Sequence, residues 1–161
     1  MVRIGLFIVV AAIVGSMTIA IFMYTQYQTN FIQVKAGDPV TVGPMQYVVT
    51  FDGTHKGNKE TQPENVFVKI RIDAKNMSDE NQRLSGGQFY LIDENNQKHE
   101  AVYGNFSPDD LIDDVLAPGE SAVWTTQFDV PFDEQKQYDI VIRPTKQQST
   151  VDTALICITN C

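Results

Sequence analysis

Residues 66–76 have the sequence Val-Phe-Val-Lys-Ile-Arg-Ile-Asp-Ala-Lys-Asn, in which apolar and polar side chains alternate. Successive side chains of a β-strand point to opposite faces of a sheet, so this period of two predicts a half-buried strand. One face carries Val66, Val68, Ile70, Ile72 and Ala74, and the other carries Phe67, Lys69, Arg71 and Asp73. We therefore expect a sheet with one face on an apolar core and the other towards water.

Similar short stretches continue through the chain and predict an all-β, antiparallel sandwich of about eight strands. The further predicted strands are residues 40–42, 45–51, 88–92, 98–103, 121–130, 137–143 and 150–158. Asn- and Gly-containing turn segments separate them, as in most sandwiches. Trp124 lies on the apolar side of its strand and is expected in the core. Residues 107–115 are the one non-β candidate, a single helical turn capped by Ser107.

The chain begins very differently, with 21 residues, 4–24, that carry no charged side chain. A helix of this length spans about 31 Å, close to the hydrocarbon thickness of a bilayer. The apolar run is too long for a typical cleaved signal, and a lipoprotein signal needs a cysteine just after the run, whereas the first cysteine is Cys157. We predict one uncleaved transmembrane helix, with a processed pilin-type helix as an alternative.

The flanks of this run predict its orientation. Arg3 precedes it, and no Lys or Arg occurs between residues 25 and 34. The positive-inside rule therefore places the N-terminus in the cytoplasm and the following domain outside the cell membrane. We expect an anchor at residues 1–28, a short linker or first strand at 29–35, and one extracytoplasmic domain at 36–161.

The charge of that domain limits its partners. All 20 acidic residues and 11 of the 12 basic residues follow the apolar run, which gives this part a net charge of −9. Such a surface repels phosphate backbones, so a nucleic-acid partner is not expected. No motif for a nucleophile–base pair, a zinc protease or a phosphate-binding loop occurs, and we predict a non-enzymatic protein without a cofactor or small-molecule substrate.

Four stretches together resemble a known family. They are residues 66–80, which end a strand with Lys-Asn-Met-Ser, residues 89–95 with an acidic hairpin, the Leu-Ala-Pro-Gly-Glu turn at 116–120, and Phe-Asp-Val-Pro at 128–131. Over residues 36–145 the chain resembles the telokin-like, immunoglobulin-like domain of prokaryotic cell-envelope proteins. The resemblance implies a sandwich of seven to nine strands outside the membrane, in a family whose members mostly lack an assigned activity. Residues 150–161 resemble the tails of archaeal envelope proteins.

The two cysteines, Cys157 and Cys161, lie four residues apart at the C-terminus. In an oxidising compartment a disulfide is the simplest interpretation, with free thiols and metal ligation as alternatives. An extended segment would place the two Cα atoms about 13 Å apart, too far for a disulfide. A bridge therefore requires a turn at residues 158–160.

Three groups of polar residues have weaker signals. Carboxylates are crowded in one segment and suggest a solvated acidic turn, with a Ca²⁺ site as the alternative: Asp109, Asp110, Asp113 and Asp114. His55 and His99, the two histidines, are interpreted as surface residues rather than copper ligands. Asn76 and Asn105 begin Asn-x-Ser triplets in predicted loops, so both are candidate glycosylation sites.

The predicted helix contains small residues that permit close contact with another helix: Gly5, Ala11, Ala12, Gly15, Ser16 and Ala20. The expected function is that of a single-pass envelope module that binds other membrane or envelope proteins. The first alternative is an accessory subunit of a multi-subunit membrane enzyme, such as an oxidase or a monooxygenase. The second is a pilin-like filament subunit.

Overall fold

The structure, a computed structural model, describes residues 2–104, 106–148 and 150–161. In these ranges the chain forms one α-helix, α1 (Val2–Gln26), followed by strands. The strands are β1 (Asn30–Lys35), β2 (Pro39–Val42), β3 (Met45–His55), β4 (Val66–Asn76), β5 (Gln82–Ser85), β6 (Phe89–Ile92), β7 (Lys98–Val102), β8 (Asp113–Leu116), β9 (Ser121–Val130), β10 (Tyr138–Ile142) and β11 (Asp152–Thr159).

The strands form a β-sandwich, which confirms the predicted fold class. Nine of them are hydrogen-bonded in the order β1-β11-β10-β6-β7-β9-β4-β3-β2, and β5 pairs with β8 in a separate ribbon. Strand β7 joins the two layers because it pairs with β6 in one layer and with β9 in the other. The eleven described strands exceed the predicted seven to nine, and one pair, β1 with β11, is parallel.

The core lies between the two layers and contains the apolar face predicted for β4. Val68, Ile70 and Ile72 are fully buried there, opposite residues of β6, β10 and β11 such as Leu91 and Ile140. Burial of a side chain of this size contributes about 1.5–3 kcal/mol. Trp124 of β9 is also buried, and its indole N–H donates to the Asp114 carboxylate at 3.2 Å.

Helix α1 is long and apolar enough over Gly5–Gln26 to cross a bilayer. Its described side chains are exposed rather than packed on the sandwich. Between Gln26 and Asn30 only three residues intervene, so the two Cα atoms lie at most about 14 Å apart when this segment is fully extended. The start of the sandwich is therefore held close to the end of the helix.

Residues 30–35, for which a linker and a first strand were both predicted, form strand β1. It pairs in parallel with β11, the last strand of the chain, from Asn30 opposite Asp152 to Lys35 opposite Cys157. The sandwich thus begins at Asn30 rather than at residue 36. The pairing joins the first and last strands.

The helical turn predicted at residues 107–115 is wrong. The Ser107 hydroxyl accepts a hydrogen bond from the Asp109 N–H, as in a polar turn, but residues 113–116 form strand β8. The reason is that Asp110 lies alongside Thr125 of β9 in a backbone bridge, which requires an extended chain. Strand β8 then pairs with β5, which has too few apolar residues to be predicted from its sequence.

The C-terminal cysteines form the predicted disulfide. Cys157 and Cys161 are bonded with Cα atoms 5.8 Å apart. The turn between them depends on Asn160, whose φ of 51° lies in the left-handed region that asparagine tolerates. The Lys35 ammonium of β1 donates to the Cys161 carbonyl at 3.2 Å, so this turn also contacts the first strand.

Candidate binding site

A β-bulge in β3 shapes one candidate site on the outer face of the sandwich. Phe51 pairs with Ile70 but Thr54 pairs with Val68, so one extra residue is inserted between them. Gly53 has a φ of 97°, as the turn of such a bulge requires. The insertion reverses the side-chain alternation, because His55 then lies opposite Phe67 on the outer face.

Three rings form an aromatic cluster around this position. Phe67 belongs to the polar face predicted for β4, yet it is only 1% exposed. It is covered by His55, with ring centroids 5.1 Å apart, and by Phe106, at 5.0 Å. Phe106 comes from the segment after β7, which lies over the sheet. The alternation of side chains along β4 predicted that Phe67 lies at the surface. Alternation gives the face of the sheet on which a residue lies, but it carries no information about a loop that covers this face.

Beside the cluster is a cleft of about 310 Å³, lined by Asp52, Gly53, Thr54, His55, Gly57, Asn58, Lys69, Phe106 and Ser107. Its charges compensate each other, since the Lys69 ammonium lies 2.8 Å from the Asp52 carboxylate. His55 Nδ1 accepts the Gly57 N–H at 3.1 Å, which assigns the proton of the neutral ring to Nε2. Burial, and secondarily Lys69, lower the pKa of His55, while Asp110 opposes the shift.

The cleft therefore contains the neutral imidazole of His55 beside the ion pair of Lys69 and Asp52. Ser107, the hydroxyl at the rim, accepts the N–H of Asp109 in its own turn. The groups can therefore hydrogen-bond a small polar ligand, but the described contacts do not join Ser107 to His55 as a nucleophile and its base. The cleft is therefore a candidate site for binding a small polar group.

The structure separates the four carboxylates of the alternative Ca²⁺ site, Asp109, Asp110, Asp113 and Asp114. Asp110 accepts two backbone N–H groups of the preceding loop at 3.1 Å. Asp113 is paired with Arg83, whose guanidinium holds the pKa of the Asp113 carboxyl below its ordinary value. Asp114 accepts the Trp124 indole N–H. Among the described residues no group of three or more His, Cys, Asp or Glu side chains is arranged to hold a metal ion.

His99 lies far along the chain from the bulge and has a different role from the one predicted. Its Nε2 is 3.0 Å from the Asp93 carboxylate in the β6–β7 hairpin. The same carboxylate accepts the N–H groups of Asn95 and Gln97. Burial of Asp93 opposes ionisation, but these hydrogen bonds outweigh it and lower the pKa of Asp93. Both histidines are therefore partly buried and structurally engaged rather than free at the surface.

Asn76 is not a surface acceptor for a glycan, contrary to the prediction. Its side chain is 0% exposed, and its Nδ2 donates to the carbonyls of Glu80, Leu116 and Ala117 at 2.7–3.1 Å. A glycan would replace one of the two hydrogens on this nitrogen and would need space that these carbonyls already occupy. The β4–β5 connection and the end of β8 meet at this side chain, and the sequence triplet gives no sign of this. The second candidate, Asn105, lies outside the described residues.

The small residues of α1 remain a predicted contact surface. Ala12, Ser16 and Ala20 are spaced four apart and lie on one face of the helix, and all are exposed. The Ser16 hydroxyl donates to the Ile13 carbonyl of its own helix at 2.9 Å, so it is satisfied without a partner. Gly5, Ala11 and Gly15 lie on the same exposed helix.

The two edges of the nine-stranded sheet differ in how they are protected. Strand β2, at one edge, has four residues and begins with Pro39. Strand β1, at the other edge, has six residues with no proline, and Phe31 near its start is 56% exposed. Edge strands in soluble proteins are usually blunted by proline, short length or charge. The β1 edge is therefore a second candidate binding surface, next to the end of α1.

Solved structures with the same fold include two bacterial proteins. The yjhA protein from Bacillus subtilis is 18% identical, with a TM-score of 0.63 and coverage of 77% of this chain and 98% of that chain. MPT63, a secreted protein from Mycobacterium tuberculosis, is 11% identical, with a TM-score of 0.58 and coverage of 83% and 100%. At these identities the likeness shows a shared β-sandwich fold. It does not distinguish the telokin-like type from other sandwiches.

A comparison with curated proteins finds no match. A family model described as a domain of unknown function, DUF4352, matches residues 34–150. The match includes every strand from β2 to β10, the bulge cleft and Asn76, and it ends shortly before β11. The chain therefore belongs to the DUF4352 family of β-sandwich domains of unknown function.

Proposed function

We propose that this protein is a non-enzymatic, single-pass envelope module whose immunoglobulin-like sandwich binds other membrane or envelope proteins at the outer membrane face. The observation that carries the proposal is the connection of three residues between α1 and β1. A domain held within about 14 Å of its anchor cannot reach far, so its partners belong to the same membrane or lie at its surface.

The use of the polar residues supports a binding rather than a catalytic role. The carboxylates at 110, 113 and 114 and both histidines have structural partners, as described above. The net charge of −9 after the apolar run keeps the domain soluble beside an anionic membrane. The likeness to a secreted sandwich protein is consistent with a location outside the cytoplasm.

A second candidate function is an accessory subunit of a multi-subunit membrane enzyme. It is favoured by the face of α1 that carries Ala12, Ser16 and Ala20, because small residues let helix backbones approach closely. In that arrangement the helix packs among others and the sandwich braces an external domain.

Gentle detergent extraction of the native protein followed by size separation and mass spectrometry tests both candidates. Comigration with another membrane protein supports binding, and comigration with catalytic subunits supports the accessory role. A protein that migrates alone contradicts both. A Ser16→Leu variant releases the partner if α1 forms the contact, whereas Ile19→Leu, which preserves side-chain volume, is the matched control.

Orientation is tested separately with a protease on intact cells. Lys56 and Lys59 lie in the exposed segment after β3, so trypsin should cut there without permeabilisation if the sandwich is outside. Cleavage that occurs only after permeabilisation would place the domain in the cytoplasm. Sequencing of the native N-terminus distinguishes the filament alternative, which requires removal of residues up to about Gly5.

A further inference from the structure

The backbone of β1 directs half of its hydrogen-bonding groups away from the sheet. The Asn30 N–H donates to the Val151 carbonyl at 3.1 Å, and the Ala36 N–H donates to the Cys157 carbonyl at 2.8 Å. In a parallel pair the residues alternate in the side to which they direct N–H and C=O. The even-numbered residues thus bond to β11, and the N–H groups of Phe31, Gln33 and Lys35 and the C=O groups of Phe31 and Gln33 face the open edge. The Lys35 carbonyl accepts the Asp38 N–H at 3.1 Å in the turn after β1.

Within the described ranges no strand pairs with this edge. The usual protective devices are also weak here, because β1 carries no proline and its pairing has no bulge. Its single charged residue, Lys35, lies at the far end, and its ammonium is engaged by the Cys161 carbonyl. By contrast, Pro39 lies in the opposite edge strand, β2. An unprotected row of backbone groups is a template for another strand.

We propose that the β1 edge binds an extended juxtamembrane segment of another membrane protein, which adds a tenth strand to the nine-stranded sheet. This inference rests on the proposed binding function and names its surface and partner. An extended backbone is the complement that satisfies the alternating donors and acceptors. The segment is juxtamembrane because β1 starts four residues after α1 ends.

The side chains beside the edge define the chemistry of the segment. Phe31 is exposed next to the anchor, so the partner presents an apolar side chain there. Cross-strand pairs of apolar residues stabilise adjacent strands. Gln33, in the middle of β1, can lie beside either a polar or an apolar side chain of the partner. The paired stretch contains about six residues and no proline at the positions that donate to β1.

The substitution Gln33→Pro tests this geometry selectively. It removes the central outward N–H and places a ring in the path of the added strand, while the bonds from β1 to β11 come from the even-numbered residues. Gln33→Ala removes the same side chain but keeps the N–H, so it is the matched control. Thermal unfolding of both full-length variants in detergent establishes that the sandwich remains folded.

A photoreactive benzoylphenylalanine at Phe31, in the full chain in native membranes, reports the partner. We expect an adduct with another membrane protein, at roughly tenfold lower yield in the Gln33→Pro background and unchanged in the Gln33→Ala background. The same probe at Val123, which is 40% exposed on the other layer, should give no such adduct. An adduct that is insensitive to proline, an adduct with a second copy of this chain, or no adduct overturns the proposal.

Amide hydrogen exchange of the unmodified protein gives a second test that needs no variant. In native membrane vesicles the amides of Phe31, Gln33 and Lys35 should exchange slowly, and they should exchange rapidly once the protein is purified alone. Ile32 and Val34, which bond to β11, should be slow in both preparations. Rapid exchange of the three outward amides in a preparation where the protein still comigrates with a partner refutes the β1 site and leaves the proposed function standing. A protein that migrates alone refutes the proposed function itself.

Discussion

Replacing Asn76 by alanine should destabilise the sandwich strongly, because this side chain joins the β4–β5 connection to the end of β8 and the residue after it. Its Nδ2 donates to the Glu80, Leu116 and Ala117 carbonyls, and its Oδ1 accepts the Ser78 N–H at 3.0 Å. Alanine removes all of these bonds.

The size of the effect follows from these contacts. The bond to the Leu116 carbonyl is buried, and an unsatisfied buried group costs about 1–3 kcal/mol. The remaining bonds are partly buried and contribute about 0.5–1 kcal/mol each. A loss of about 3–4 kcal/mol in the free energy of unfolding is therefore expected. For a domain of this size it lowers Tm by about 10 °C.

The assay is thermal and denaturant unfolding of the full chain in detergent, followed by the fluorescence of Trp124. This residue is the one tryptophan of the chain, and it is buried in the sandwich. Asn95→Ala is the matched control, because Asn95 is exposed in the β6–β7 turn and the same change there should cost under about 0.5 kcal/mol. If Asn76→Ala costs no more than Asn95→Ala, or if native Asn76 carries a glycan, the assignment of a structural role is wrong.

Four further outcomes are expected. Burial raises the pKa of Tyr47 to about 12, so the folded state retains a proton that the unfolded state loses above pH 10. The free energy of unfolding should therefore fall by up to about 3 kcal/mol between pH 10 and 12. Denaturant titrations of Tyr47→Phe should show a smaller decrease over this pH range. Burial lowers the pKa of His55, so the unfolded state binds the proton more readily, and the free energy of unfolding should fall as pH drops below about 6.5. NMR titration should place the midpoint of His55 below that value. A midpoint above it contradicts the geometry of the cleft. Gly57→Ala brings a Cβ within 2.2 Å of a backbone oxygen at a φ of 79° and should cost about 2–4 kcal/mol in thermal unfolding, more than Gly37→Ala, where φ is similar but the space is open. Reduction of the Cys157–Cys161 bridge should lower the free energy of unfolding by about 2 kcal/mol, since the closed loop is short, and free thiols in unreduced, denatured protein would show that the bridge is absent.

The long strands could be predicted from the sequence because their alternation is sustained. Strand β9 has the predicted bounds, residues 121–130, and β4 contains the predicted apolar face. Strands β5 and β8 were missed because each has four residues and is completed by a partner about 30 residues away. For residues 29–35 the sequence predicted either a linker or a first strand, because the strand that pairs with β1 is β11, at the other end of the chain.

The polar residues were harder to predict than the strands. The triplet at Asn76 resembles a glycosylation site, and the crowding of Asp110, Asp113 and Asp114 resembles a cation site. In the fold each of these side chains has a separate partner from a distant segment or from its own loop. Sequence spacing shows which polar groups are neighbours along the chain, but it does not show which backbone groups need them.

The sequence by itself determined the apolar helix, the all-β class and the need for a turn between the cysteines, because each follows from a local period or a local spacing. Only the tertiary structure decided that Asn76 and Phe67 are buried, that a bulge turns His55 outward, and that β2 is protected while β1 presents an open edge. These features depend on contacts between segments far apart in the chain. Side-chain alternation records which face a residue occupies, but not what covers that face.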